Sequence, residues 1–241
     1  MTSAERRAAL EAIAADVRAC SGCRLAQTRT NAVPGEGSPD TEVVFVGEGP
    51  GQNEDRLGRP FVGRAGNLLV SFLGSIGWRR EEVFITNIVK CRPPDNRDPE
   101  PDEIAACARY LERQLEVLDP AVVVTLGRHS MGRFMPGVRI SQAHGSTTPA
   151  DPATGARDAT VFAMYHPAAA LRTSALEKES YADVARIPQV LLDARARRET
   201  AGAAADPTPA DTAALAAGPL DDLAAVLVEA PPDPAVDLTI F

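Results

Sequence analysis

The chain of 241 residues, 44% of them hydrophobic, has room for one domain of about 200 residues and an appendage, and no apolar run approaches the roughly 18 residues that cross a bilayer. Its start, MTSAERRAALEA, is a charged helical pattern without the apolar centre of a signal peptide, so a cytoplasmic protein is expected. The net charge of −8 gathers at the far end: residues 201–241 hold seven acids and no Lys or Arg, leaving 26 acids against 25 bases before them. Acidity therefore does not exclude a nucleic-acid partner, which needs only a local basic patch.

Residues 3–19 carry a helical apolar period (Leu10, Ile13, Ala14, Val17) that ends at Cys20-Ser21-Gly22-Cys23. After a turn-rich stretch, the strand-type run Val43–Val46 stops at Gly47-Glu48-Gly49-Pro50-Gly51. A Gly/Arg-rich loop, GQNEDRLGRPFVGRAG, then leads to a helix from about Asn67 to Ile76. A second strand, Val83–Thr86, stops at Asn87. The following KCRPPDNR segment reads as a loop, because two prolines interrupt it and no periodicity runs through it. Pro101 opens a helix, with Asp102 and Glu103 in its first turn, that reaches about Leu118.

The third strand, Val122–Thr125, stops at Gly127 and precedes a short helix near His129–Phe134. A fourth, Val161–Tyr165, stops at His166-Pro167, and a last helix covers about Tyr181–Arg198. Strands alternating with helices predict an α/β fold, a three-layer α/β/α sandwich around a mostly parallel four-stranded sheet. Ligands of such sheets bind beyond the carboxyl ends of the strands, so Glu48, Asn87 and His166 are expected in one crevice. From about Ala201 the pattern fails. Residues 1–200 read as the folded domain, 201–236 as a flexible acidic Ala/Pro-rich linker, and 237–241 as a separate terminal peptide.

All four cysteines lie at Cys20, Cys23, Cys91 and Cys107. A Cys-x2-Cys pair is a common metal clamp, and the second pair is wide. Structural zinc prefers two close pairs, an iron–sulfur cluster suits four thiolates at least as well, and small buried thiols need no metal. Spacing alone leaves these three open.

VGEGPGQNEDRLGRPFVGRAG, then TNIVKCRPPDNR, then a His-Pro after a strand, resemble the family 4 uracil-DNA glycosylases, in their bacterial form. The resemblance spans about residues 10–198. It implies a uracil-DNA glycosylase-like fold and a structural [4Fe–4S] cluster on Cys20, Cys23, Cys91 and Cys107, tying the first helix to the loop of residues 92–106. It also implies a monofunctional enzyme of base excision repair. Such an enzyme hydrolyses the N-glycosidic bond of deoxyuridine in single- or double-stranded DNA, to free uracil and an abasic site.

The family's pocket maps residue by residue. Phe61 resembles its stacking aromatic and Asn87 its edge reader, whose carboxamide can accept from uracil N3–H and donate to O4 while cytosine reverses both polarities. Glu54 aligns with the position that excludes a thymine methyl. Glu48 is a catalytic candidate and Gly49 lies beside it, where family 1 enzymes have Gln and Asp. Asn96 is the candidate for positioning water, and His166 would stabilise negative charge on uracil O2. Leu171 would wedge into the gap left by the flipped base, with Arg172 beside it. Arg59, Arg64, Lys90, Arg92 and Arg97 could form a phosphate-binding rim. His129 and His144 read as structural or surface residues.

A non-catalytic iron–sulfur or zinc DNA-binding module is the alternative from another class. The last residues, Asp237-Leu238-Thr239-Ile240-Phe241, resemble the short peptides with which bacterial DNA enzymes dock on the sliding clamp, with Asp237 in place of the usual Gln. No membrane partner is expected, and the enzyme reads as a monomer.

Overall fold

The structure is a computed structural model and describes residues 1–205. Most of the acidic stretch read over 201–236, and the whole terminal peptide 237–241, lie outside the described residues. Residues Met1–Thr200 form one unit. No helix among the described residues is long and apolar enough to cross a membrane.

The first helix, α1 (Ser3–Ala19), is closed at its start by a reciprocal capping box between Thr2 and Glu5. A two-residue strand, β1 (Glu36–Gly37), precedes β2 (Val43–Gly47). Helices α2 (Gln52–Leu57) and α3 (Arg64–Ser75) lead to β3 (Phe84–Asn87). Helix α4 (Pro101–Leu118) begins at the expected proline, and Glu100 and Glu103 satisfy each other's backbone at its start. Then come β4 (Val122–Leu126), α5 (Arg128–Phe134), α6 (Ile140–Ala143), β5 (Thr147–Pro149) and β6 (Thr160–Met164). The described chain closes with α7 (Pro167–Ala170), α8 (Ser174–Val184) and α9 (Ile187–Ala205).

The sheet order is β1-β3-β2-β4-β6-β5. The four expected strands are its parallel centre, and β1 and β5 add antiparallel edges. At two and three residues, the edge strands are too short to leave an alternation in the sequence. The central strands are buried on both faces, and neighbouring positions point to opposite layers. Val44, Val46, Val123 and Val161 join Leu111 and Leu115 of α4 on one side. Val43, Phe45, Val124 and Phe162 meet Leu69 and Phe72 of α3 and Val190 of α9 on the other. Each such side chain contributes about 1.5–3 kcal/mol by burial, so both helical layers are held to the sheet.

Two expectations are corrected. The stretch GQNEDRLGRP is not all loop, since residues 52–57 are helical. Gly58, at φ 69°, ends that helix in the left-handed conformation, and buried Asp55 Oδ1 accepts the Thr30 N–H at 2.8 Å. Glycine content pointed to a loop, and a long-range hydrogen bond decided otherwise. The final helix is also two helices, broken at Ala185-Arg186. Pro188 sits in the first turn of α9, where its missing N–H costs nothing, and would break the interior of one continuous helix.

Candidate active site

Strand β2 has β3 on one side and β4 on the other, so successive connections leave it in opposite directions and open a crevice beyond the carboxyl ends. A cavity of about 560 Å³ occupies this place, lined by Glu48, Gly49, Glu54, Phe61, Asn87, Asn96 and His166 among others. The sequence therefore brought together every residue it assigned to the base pocket, from segments nearly 120 positions apart.

Its floor depends on Gly47, which is paired in register with Asn87. A Cβ at Gly47 would lie 2.4 Å from Asn87 Oδ1 and 2.6 Å from Phe61 Cζ. Asn87 is 1% exposed, and both its amide oxygen and its amide nitrogen lack a hydrogen-bond partner among the described residues. Each unmatched buried polar atom costs about 1–3 kcal/mol. This side chain is thus held ready for a ligand that offers one donor and one acceptor side by side.

Phe61 adopts a left-handed backbone, φ 49°, that few non-glycine residues take. It is held there from two sides. Arg80 donates to the Phe61 carbonyl at 2.9 Å and to that of Pro60. Glu54 Oε1 accepts from the backbone N–H groups of Val62 and Gly63 at 2.9 and 2.8 Å. The ring faces the imidazole of His166, centroids 5.7 Å apart and planes 30° from parallel.

His166 begins α7, and its Nδ1 accepts the Ala168 N–H at 3.1 Å. That bond assigns the remaining proton to Nε2. Burial pushes the imidazole down to about 4, against the pull of the Glu54 charge. The free protein therefore holds a neutral imidazole with a single N–H donor. Gly127 lets it approach: its φ is 89°, and a Cβ there would lie 2.8 Å from His166 Cβ.

Glu48 is half-buried. Burial raises its pKa, the neighbouring His129 and Arg128 oppose this, and the Asp98 carboxylate adds to it. Beside it, Gly49 has no room for a side chain, since a Cβ would lie 2.8 Å from Val89. Asp98 and Arg128, which the sequence reading did not single out, also line the cavity, and His129 stands beside them with Nε2 3.3 Å from Asp98 Oδ1. Their position was legible, because Gly127 follows a central strand and Arg128-His129 come directly after it.

The basic rim is corrected in part. Lys90 is not a rim residue: it is 1% exposed, and its ammonium donates to Thr86 Oγ1, the Asn87 carbonyl and Gln114 Oε1 at 2.6–2.9 Å. Arg59 lies outside the cleft and forks onto Glu36 at 2.8 and 2.9 Å. Arg97 lines the cavity, but its guanidinium is held by fully buried Glu103 at 2.6 and 2.9 Å. Arg92 donates to Asn96 Oδ1 at 2.7 Å, which fixes that amide at the cavity's edge. Arg64 is exposed, as are Leu171 and Arg172, and Arg172 lines the cavity mouth. His144 lies outside the cavity, with Nδ1 2.9 Å from Asp183 Oδ2.

On the other side of β3, Cys20, Cys23, Cys91 and Cys107 line one small cavity between α1 and α4. Three of the sulfurs already receive hydrogen bonds: Gly22 N–H to Cys20 at 3.4 Å, Arg29 to Cys91 at 3.0 Å and Lys90 N–H to Cys107 at 3.2 Å. The donor set of four thiols fits either zinc or an iron–sulfur cluster.

Comparison with known proteins gives the class to which this fold and cleft belong. The family model described as "Uracil DNA glycosylase superfamily" matches residues 34–186. A type-4 uracil-DNA glycosylase of Sulfurisphaera tokodaii is 47% identical over 189 residues, covering 76% of this chain and 85% of that one. One of Thermotoga maritima is 45% identical over 172 residues, covering 71% and 88%. A type-5 enzyme of Thermus thermophilus is 38% identical over 111 residues, covering 40% and 50%. The chain belongs to the uracil-DNA glycosylase superfamily and, within it, to the type-4 enzymes.

A histidine that the fold holds neutral binds its proton more readily in the unfolded chain. The His166 contribution to stability is therefore complete above about pH 6.5 and is lost as pH falls towards 4. In the free protein, ¹⁵N NMR of His166 should report an Nε2–H tautomer that does not titrate between pH 5 and 8. A midpoint near 6.5 would contradict this geometry.

Proposed function

We propose that this protein is a monofunctional uracil-DNA glycosylase acting in base excision repair on single- or double-stranded DNA. The observation that carries the reading is the pair of unmatched amide atoms on Asn87. They suit the N3–H and O4 of uracil and oppose both polarities of cytosine. A site whose buried polar groups must be matched discriminates more strongly than one relying on apolar shape.

The everted uracil would stack on Phe61 with its edge on Asn87. Glu54, already braced against the Phe61 loop, would stand where a thymine methyl must go. As the bond between uracil N1 and C1′ breaks, its electron pair passes into the ring. His166 Nε2–H would then donate to the O2 on which charge gathers. A neutral donor suits this step, since it need not lose a proton to the departing base. Asn96 would hold a water that adds to C1′ while Glu48 takes its proton, with Gly49 leaving space beside them. Leu171 and Arg172, at the mouth, would fill the vacated stack and contact phosphate. Arg92 and Arg97 would shape the DNA-facing loop, each through a partner it already holds.

Cys20, Cys23, Cys91 and Cys107, which line one small cavity, would hold a [4Fe–4S] cluster, as the type-4 resemblance implies. The cluster would serve structurally, because hydrolysis transfers no electrons. Residues 1–200 would be the catalytic domain, monomeric and cytoplasmic, with 201–236 as a tether and 237–241 as a clamp-binding peptide.

Excision of uracil from a labelled single-stranded oligonucleotide separates this reading from a non-catalytic DNA-binding module. His166→Ala should lower kcat by roughly 10²–10³-fold, the usual loss for a donor to developing charge, with DNA affinity largely kept. Asn87→Asp should narrow the preference for uracil over cytosine. Wild-type activity in both variants would overturn the pocket assignment. Purified protein should carry about four iron atoms per chain, and stoichiometric zinc would exclude the cluster. Deleting residues 237–241 should abolish clamp binding and leave excision on free oligonucleotide intact, so unchanged clamp affinity sinks that assignment.

A further inference from the structure

Beside Glu48 stand two titratable groups, His129 and Asp98, to which the chemistry above gives no role. His129, in the first turn of α5, places Nε2 3.3 Å from Asp98 Oδ1 and 3.9 Å from Glu48 Oε2. That nitrogen is buried and makes no properly directed hydrogen bond among the described residues. Asp98 is fixed in turn by an ion pair with Arg128, the residue before His129. Two carboxylates thus converge on one imidazole, from the turn after β2 and from the loop after β3. The three ligand atoms lie within 4.8 Å of one another.

The geometry points to His129 as the positioning residue for Glu48, steered by the Asp98–Arg128 pair. The inference rests on the reading of Glu48 as the group that takes the proton from water. A carboxylate beside a second carboxylate, and partly removed from water, rotates away or takes up a proton unless something holds it. An imidazole N–H between the two does both jobs, because it orients one oxygen of Glu48 and favours its ionised form. The 3.9 Å separation suits a contact that closes when substrate fills the cleft, since hydrogen bonds of catalytic groups are commonly long in the free enzyme. Asp98 is two residues from Asn96, so the same contact links the base to the water-positioning loop.

The charged groups facing Glu48 are His129 and Arg128 from α5 and Asp98 from the loop. The same cavity is lined by Glu54, Arg97, Tyr165, Arg172 and the neutral His166, with Arg97 already paired to Glu103. Removing His129 leaves two carboxylates with less to oppose them, which moves Glu48 protonation to higher pH.

The test is steady-state uracil excision by the cluster-loaded enzyme between pH 5 and 9, on the wild type, His129→Ala, His129→Gln and Glu48→Gln. Loss of the base itself should cost roughly a hundredfold or more and abolish the acid limb of the kcat profile. His129→Ala should cost on the order of tenfold in kcat, leave KM within about twofold, and shift the acid limb to higher pH. His129→Gln, which restores an N–H at similar reach, should recover most of the rate. Wild-type kcat with an unmoved limb in His129→Ala overturns the inference. So does a rate loss with an unmoved limb and a lowered Tm, which marks a purely structural residue. A fully active Glu48→Gln instead overturns the reading of Glu48, and the inference with it.

Discussion

The cleft exists because one position has no side chain. Gly47 ends β2 in register with Asn87, and its Cα faces both the carboxamide and the Phe61 ring at distances that admit no methyl group. Its carbonyl meanwhile accepts the Ile88 N–H at 2.9 Å, which carries the β2–β3 ladder past the strand end. An alanine there would displace both the Phe61 ring and the Asn87 carboxamide. Phe61 in turn depends on Glu54 and Arg80, since a left-handed phenylalanine persists only where its surroundings over-determine it.

Asn87 and His166 are prepared by opposite means. The amide is left wholly unmatched among the described residues, so its hydrogen-bonding energy is realised only when a ligand arrives. The imidazole has one nitrogen matched to the Ala168 N–H, and that bond leaves the other as a donor. The two groups thus sit at two strand ends, the amide held by packing and the imidazole by a local hydrogen bond.

Lys90 joins this pocket to the cysteines. Its backbone N–H meets Cys107, and its ammonium meets the carbonyl of Asn87 and the side chains of Thr86 and Gln114. Burial pushes the amine down to about 8, with the Cys107 thiol opposing. Three oxygen acceptors are what make a buried ammonium tolerable. A metal group on the cysteines would therefore brace β3 at Asn87, the residue with the unmatched amide. Arg97 and Arg92 follow the same logic on the loop, where Glu103 and Asn96 occupy them.

Strand-type runs that stop at Gly47, Asn87, Gly127 and His166 determined the parallel sheet, the face of the crevice and most of its lining. An α/β alternation permits few connections, and the side chains just past each strand end must share one edge. The cysteine spacing located the second site without settling its occupant. Tertiary structure decided what depends on partners distant in sequence: that Lys90 points inward, that Arg59 answers Glu36, that residues 52–57 coil under Asp55, and that His129 turns towards Glu48. A lone charged residue reads as solvated until its counter-charge is found. Those partners came from segments up to 81 positions away (His129 and Glu48), which no local pattern encodes.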